Sequence, residues 1–281
     1  MKRLLQFIIS LILLVGFASG QKVIDAKTLI WNDSLKYVRA TDSDQPYSGN
    51  AVWYYENGQK SAEETWKDGK PDGLWTEWYE NGQKEEEGTY KDGERDGLWT
   101  EWYENGQKSS KKTYKDGEPK GPYTEWYENG QKSEKGYKKD GRTEVGLRTK
   151  WYENGQKEEE VTLNDDEEPK GPYTEWYENG QKERESTYKD GEPDGLFTRW
   201  YENGQMSGQG TYKDGKRNGL GTQWYDNGKK ESEVTFKDGK QNGLGTQWYD
   251  NGKKKSEVTF KDGAIISEEC WDEDGNEKEC N

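Results

Sequence analysis

GLWTEWYENGQKSSKKTYKDGEPK, running from Gly97 to Lys120, is one period of a pattern that fills most of the chain. Its Asn-Gly pair recurs at Asn57, Asn81, Asn105, Asn129, Asn154, Asn179, Asn203, Asn227 and Asn251, at intervals of 24, 24, 24, 25, 25, 24, 24 and 24 residues. A fixed period of this length marks a repeat architecture, in which each unit is stabilised by its neighbours. Nine units are clear, and residues 264–281 read as a degenerate tenth closing on Asp274-Gly275.

Each unit carries two turn signals with room for a strand of about six to eight residues on either side. Asn-Gly suits a two-residue type I′ turn, whose central residues both need positive φ. The second signal is Lys-Asp-Gly, as at Lys91-Asp92-Gly93, followed by a short polar loop. A two-residue turn at Asn105-Gly106 pairs Glu104 with Gln107, Tyr103 with Lys108, Trp102 with Ser109, Trp99 with Lys112 and Gly97 with Tyr114. Alternation then puts Trp99, Tyr103 and Tyr114 on one face and Leu98, Thr100, Trp102 and Thr113 on the other. Gly97 leaves space for Tyr114 to lie across the backbone. The expected fold is all-β, an elongated single-layer antiparallel β-meander of repeated hairpins. Nine units make it on the order of 90 Å long.

Two columns hardly change. One is Trp78, Trp102, Trp126, Trp151, Trp176, Trp200, Trp224 and Trp248; the other runs from Tyr55 to Tyr249. Equivalent residues recur about every 9.6 Å, too far for direct ring stacking, so intervening side chains or a ligand must fill the gaps. The Trp column is therefore a candidate binding ladder, weighed against a simple packed layer.

The glycine-aromatic start (Gly97-Leu98-Trp99), the WYENGQK core (Trp102 to Lys108) and the aromatic-Lys-Asp-Gly end (Tyr114 to Gly117) resemble the bacterial MORN repeat variant over roughly residues 47–263. That resemblance implies a twisted single-layer sheet of hairpins and a role in protein–protein interaction or scaffolding. It extends, through the repeat alone, to the YwqK-type antitoxin family. Choline- and glucan-binding wall repeats share the Gly-aromatic rhythm but lack the paired ENGQK and KDG signals.

Outside the array, residues 1–20 (MKRLLQFIISLILLVGFASG) have a basic start, a short apolar run and a small-residue end, the pattern of a cleaved signal peptide. The run is shorter than a membrane-spanning helix requires. Localisation is therefore expected to be periplasmic or secreted, with cleavage near Gly20. Residues 21–50 read as an N-terminal capping hairpin, 51–263 as the array and 264–281 as a capping repeat. Cys270 and Cys280 flank the final turn and are placed to form a disulfide in an oxidising compartment.

Composition narrows the function. Hydrophobic residues make up only 27% of the 281 residues, but 14 Trp, 19 Tyr and 5 Phe argue against disorder. The net charge is −15, moving to −17 when residues 1–20 take Lys2 and Arg3 away. Such a surface disfavours nucleic acid and anionic membrane. Histidine is absent, which removes the commonest general base and metal ligand. The acidic loop Asn164–Glu168 reads as a variant turn. Asp272, Asp274 and Asn276 match the start of a calcium loop, but Glu277 stands where glycine is needed. The sequence points to a binding or structural protein, not an enzyme, without cofactor or metal. A protein partner is favoured, and an antitoxin or immunity role and envelope-glycan binding are the alternatives.

Overall fold

The structure, a computed structural model, describes residues 23–32 and 37–280. Residues 1–20, read from the sequence as a signal peptide, lie outside the described residues. Twenty-five strand segments join in one open sheet, and two more form a separate hairpin. From Gly49 onward the strands pair antiparallel in chain order, so the all-β single-layer meander expected from the period is the fold.

The chain enters as β1 (Val23–Asp25), a short 3-10 turn (Ala26–Thr28), β2 (Leu29–Asn32) and β3 (Tyr37–Ala40). The first repeat follows as β4 (Gly49–Tyr54) and β5 (Lys60–Lys67). β1 lies parallel beside β4, with Ile24 opposite Ala51. β3 is tied to the repeats by the Val38 N–H, which donates to the Gly69 carbonyl at 3.0 Å. Ala26, Ala40, Tyr47 and Ala51 are buried together, with Ile24, Leu29, Trp53 and Trp66 packed around them. The sheet's first edge is thereby covered, which blocks strand addition there.

Within a repeat, the two-residue type I′ turn is not at Asn-Gly, where the sequence reading placed it. At Tyr103–Gln107 the Gly106 N–H donates to the Tyr103 carbonyl and the Tyr103 N–H to the Gln107 carbonyl, both at 2.8 Å. Only Gly106 has positive φ, +82°; Asn105 does not. This is a three-residue loop, a type I turn closed by a left-handed glycine. The extra residue shifts the register beside the turn. Trp102 pairs with Lys108 rather than Ser109, while Trp99 still faces Lys112 and Gly97 faces Tyr114. The two-residue type I′ turn sits instead at Asp-Gly: Asp92 and Gly93 have φ of +52° and +93°, and Lys91 pairs directly with Glu94.

Hydrogen bonds across repeats explain the difference. The Asn105 side chain accepts from the Gln107 N–H at 2.9 Å and donates to the Glu128 carbonyl of the next repeat at 2.8 Å. An asparagine so held fixes its turn to the neighbouring turn. The Tyr103 hydroxyl likewise donates to the Trp126 carbonyl, at 2.7 Å. Both bonds recur from the first repeat, through Tyr55 and Asn57, to the last, through Tyr249 and Asn251. On the opposite margin the turn glycines donate backwards, Gly93 to Pro71 and Gly117 to Arg95. Asp272 and Asp274 occupy the Tyr and Asn positions of the last described turn. Cys270 and Cys280 are disulfide-bonded across that turn.

Candidate interaction surfaces

Side chains alternate between two faces, and beyond the first repeat neither face is covered by a second layer among the described residues. One face carries, in each repeat, the positions of Trp99, Glu101, Ser110, Lys112 and Tyr114. In the early repeats it is an aromatic zipper. Trp75 meets Tyr90 with ring centroids 4.9 Å apart, Tyr90 meets Trp99 at 5.1 Å, and Trp99 meets Tyr114 at 6.2 Å. Trp99 is 1% exposed because its indole lies over Gly88, where any Cβ would collide with the ring. Gly97, by contrast, has nothing within 4 Å of its missing Cβ. Tyr114 does not cross it; its φ of +84° is the reason for glycine there.

Two carboxylates lie along this zipper. Burial pushes Glu64 up to about 8, although the Trp66 indole N–H donates to it. Burial also lifts Glu86 to about 7 against the opposing pull of Arg95, which sits 2.5 Å away.

In the middle repeats the same face is polar. In the strand Lys132–Asp140 the tyrosine comes one residue earlier after its Asn-Gly turn than Tyr114 does, so Lys138 takes the place of Tyr114 and Tyr137 turns outward, opposite Pro122. Lys138 pairs with Glu144 at 2.6 Å, and Arg148 bridges Glu144 and Glu159. These cations hold the Glu144 carboxyl below its ordinary value despite burial. Tyr173 donates to Glu159 and Glu175, and Arg184 pairs with Glu175 at 2.6 Å. Burial beside those acids raises the Tyr123 and Tyr173 hydroxyls.

In the late repeats the face is hollow. Gly221 and Gly245 replace the large residue of the Trp99 position, and Gly208 and Gly210 lie on the adjoining strand. They floor a groove of about 540 Å³ walled by Phe197, Tyr212, Phe236 and Phe260. Gln223 and Gln247 stand where earlier repeats have Glu101 and Glu125, each accepting from a serine, Ser232 or Ser256. The sequence reading passed over this site. Its signal is Gly-Leu-Gly at 219–221 and 243–245 in place of Gly-Leu-Trp.

The other face carries the Trp column, and its gaps are filled from within. Lys84 stands 5.7 Å over the Trp102 ring, and the same arrangement joins Lys60 to Trp78, Lys132 to Trp151, Lys157 to Trp176, Lys182 to Trp200 and Lys230 to Trp248. Several of these lysines also pair with a glutamate three residues on, as Lys60 does with Glu63 at 2.8 Å. Trp126 and Trp224 hold the same register position, opposite Lys132 and Lys230. The column is thus a Lys–Trp stack rather than a row of bare rings. Beside it runs a line of exposed leucines: Leu74, Leu98, Leu147, Leu196, Leu220 and Leu244, between 49% and 58% accessible.

The MORN repeat variant model matches eight segments of the chain: residues 47–68, 71–92, 95–116, 144–165, 169–190, 193–214, 217–238 and 241–262. The unmatched interval holds the repeat around Asn129, where the early tyrosine, Tyr137, faces outward. No curated protein matches the chain. Among solved structures it is similar to the TcdB2-TccC3-Cdc42 and TcdB2-TccC3 crystal structures, at 13% identity and a TM-score of 0.20 in each case. Those matches cover 89% and 86% of this chain, and the chain spans 17% of the length of either solved chain.

Proposed function

The chain belongs to the MORN repeat variant family, and from that premise we propose that it is an exported scaffold that presents its sheet to a protein partner. The observation that carries the reading is the leucine line. Six large apolar side chains, each about half exposed, stand in register along one face of a strongly charged protein. A recurrent apolar line rimmed by charge is the anatomy of a protein-binding surface. The net charge of −15 weighs against an anionic membrane as the counterpart.

Export is supported by the residue pattern of 1–20 and by the disulfide, a bond that persists in oxidising compartments. Among the described residues, no helix is long and apolar enough to cross a membrane. A binding role rather than catalysis agrees with the lack of histidine. Glu64 and Glu86, two of the carboxylates with raised pKa, are held by an indole and a guanidinium.

The test is a pull-down from cell-envelope extract with tagged residues 21–281, alongside the variant Leu98→Asp/Leu147→Asp. Capture of one defined polypeptide, lost on protease treatment of the extract and reduced at least about tenfold in the variant, supports the reading. Capture of polysaccharide that survives protease overturns it in favour of glycan binding.

A further inference from the structure

The array contains both a filled and an empty version of one seat. In the filled version Trp99 lies over Gly88, between Tyr90 and Tyr114, with the Arg95 guanidinium 3.9 Å from its ring centre. Its indole N–H donates to the Thr89 carbonyl at 3.2 Å. Five repeats later every part but the ring recurs. Gly210 stands for Gly88, Tyr212 for Tyr90, Phe236 for Tyr114, Arg217 for Arg95 and Thr211 for Thr89. Trp99 alone is replaced by a residue without a side chain, Gly221.

The cation keeps its pose without the occupant. Arg217 lies 5.2 Å from the Phe236 ring, as Arg95 lies 5.4 Å from Tyr114. Arg217 is steadied by a bond to the Tyr212 hydroxyl at 3.1 Å. Above Gly210 the nearest atoms to a Cβ are backbone at 3.8 Å, so the place where Trp99 sits over Gly88 is open. Phe236 closes the Gly221 end of the seat, its ring edge 3.1 Å from where a Cβ would stand there, and the opening is above Gly210. The Thr211 carbonyl accepts the Asn218 N–H, as Thr89 accepts Asp96, and the Thr89 pattern demonstrates that such a carbonyl takes an indole N–H as well.

We propose that the Gly210–Gly221 seat is a recognition site for a tryptophan side chain presented by an extended segment of a partner polypeptide. The inference rests on the reading of the chain as a polypeptide-binding scaffold and gives it a second contact, on the face opposite the leucine line. The chemistry follows from the filled copy: aromatic edges on two sides, a cation over the ring face and a carbonyl for the ring N–H. The groove continues past the seat to Ser232, Gln223 and Gln247. These neutral groups replace Glu134 and the glutamates at 101 and 125, and they suit the flanking backbone of a peptide where carboxylates would repel its carbonyls.

The probe is a blocked Gly-Ser-Trp-Ser-Gly peptide carrying 5-fluorotryptophan, titrated into the full chain and followed by fluorine NMR. Saturable binding is expected, with a Kd on the order of 1 mM for so short a ligand. Gly221→Trp, which supplies the ring internally, should weaken it at least about tenfold, and Gly210→Val, which fills the seat without needing positive φ, should do the same. Arg217→Gln should weaken binding about 3-fold or more, and so should methylation of the ring nitrogen in the probe. Lys84→Met, on the opposite face beside Trp102, should leave it unchanged. Circular dichroism of each variant verifies the sheet, so a misfolded Gly221→Trp leaves Gly210→Val to decide. Lack of saturation at about 20 mM peptide overturns the proposal, as does binding that survives Gly210→Val, or binding of free 5-fluoroindole without binding of the peptide. Peptide binding with an empty pull-down would sink the scaffold reading and leave the seat standing; the reverse would sink the seat alone.

Discussion

The repeats around Trp75–Tyr114 and those around Phe197–Phe260 share a backbone and differ in what stands on it. In both, tyrosine hydroxyls and asparagine amides bind one repeat to the next, Tyr103 to Trp126 and Tyr201 to Trp224, each at 2.7 Å. In both, turn glycines donate back across the opposite margin, Gly117 to Arg95 and Gly239 to Arg217. Only the face between the margins changes, from interleaved rings to a glycine floor. The difference teaches that the margins carry the architecture. A face can be emptied, as at Gly210 and Gly221, because neighbouring repeats stay joined at their edges.

The harshest way to break the comparison is to empty the filled seat. Trp99→Ala removes the ring that packs Tyr90, Tyr114 and Gly88 together, and should cost about 3–5 kcal/mol. The urea midpoint measures it. If margins hold the fold, strand content persists below that midpoint and the vacated seat takes up the fluorotryptophan peptide. Loss of the sheet in plain buffer would mean that the zipper, too, is architectural.

A second test concerns what fills the Gly210 position elsewhere. In the first repeat it is Glu64, opposite Trp75 and 5% exposed. Its carboxyl is raised from 4.5 to about 8 by burial. Between those values the folded chain keeps a proton that the unfolded chain has released, so stability falls as pH rises through that window and levels off above it. Glu64→Gln mimics the protonated form. Its melting temperature should match wild type near pH 4.5 and exceed it at pH 9, by an amount corresponding to roughly 1–3 kcal/mol. A gain independent of pH would show that Glu64 is ionised throughout.

Paired substitutions on the margin sharpen the comparison further. Tyr103→Phe and Tyr201→Phe each leave a carbonyl, of Trp126 or Trp224, without its hydroxyl donor. Each should cost about 1 kcal/mol in chemical denaturation. Equal costs are expected although one tyrosine borders the zipper and the other the groove; a twofold difference would show that the face reinforces the margin.

The fold was legible because the 24-residue period and two turn signals leave room for little else. The turn types were not. Asn-Gly has a strong local preference for type I′, but Asn105 is held by a bond to Glu128, a residue that comes near only once repeats are stacked. The constant Trp column drew attention as a binding ladder for the same reason that it serves as structure. Six of the eight rings meet a lysine of the adjoining repeat, as Trp102 meets Lys84, so the pair recurs together. The candidate seat was written in the columns that vary. Read down the Trp99 position, the chain goes Trp75, Trp99, Tyr123, Arg148, Tyr173, Phe197, Gly221, Gly245, and the hollow is where the rings stop.

The smallest effect belongs to that Lys–Trp stack, and nature has supplied the variant. Met206 occupies the lysine position before Trp224, opposite Trp200, and is 40% exposed. Lys84→Met copies it into the zipper region. The change removes a cation standing 5.7 Å over Trp102 and an ion pair with Glu87, both at an exposed site. Contacts of that kind contribute about 0.5 kcal/mol each, and methionine restores part of the packing over the ring. The urea midpoint should therefore move by less than about 1 kcal/mol, with the loss shrinking further in high salt as the ion pair is screened. A loss above about 2 kcal/mol would place the Trp column among the parts that hold the array together. A loss within the smaller range leaves the tyrosine and asparagine bonds as the features that join repeat to repeat, in the zipper and the hollow stretch alike.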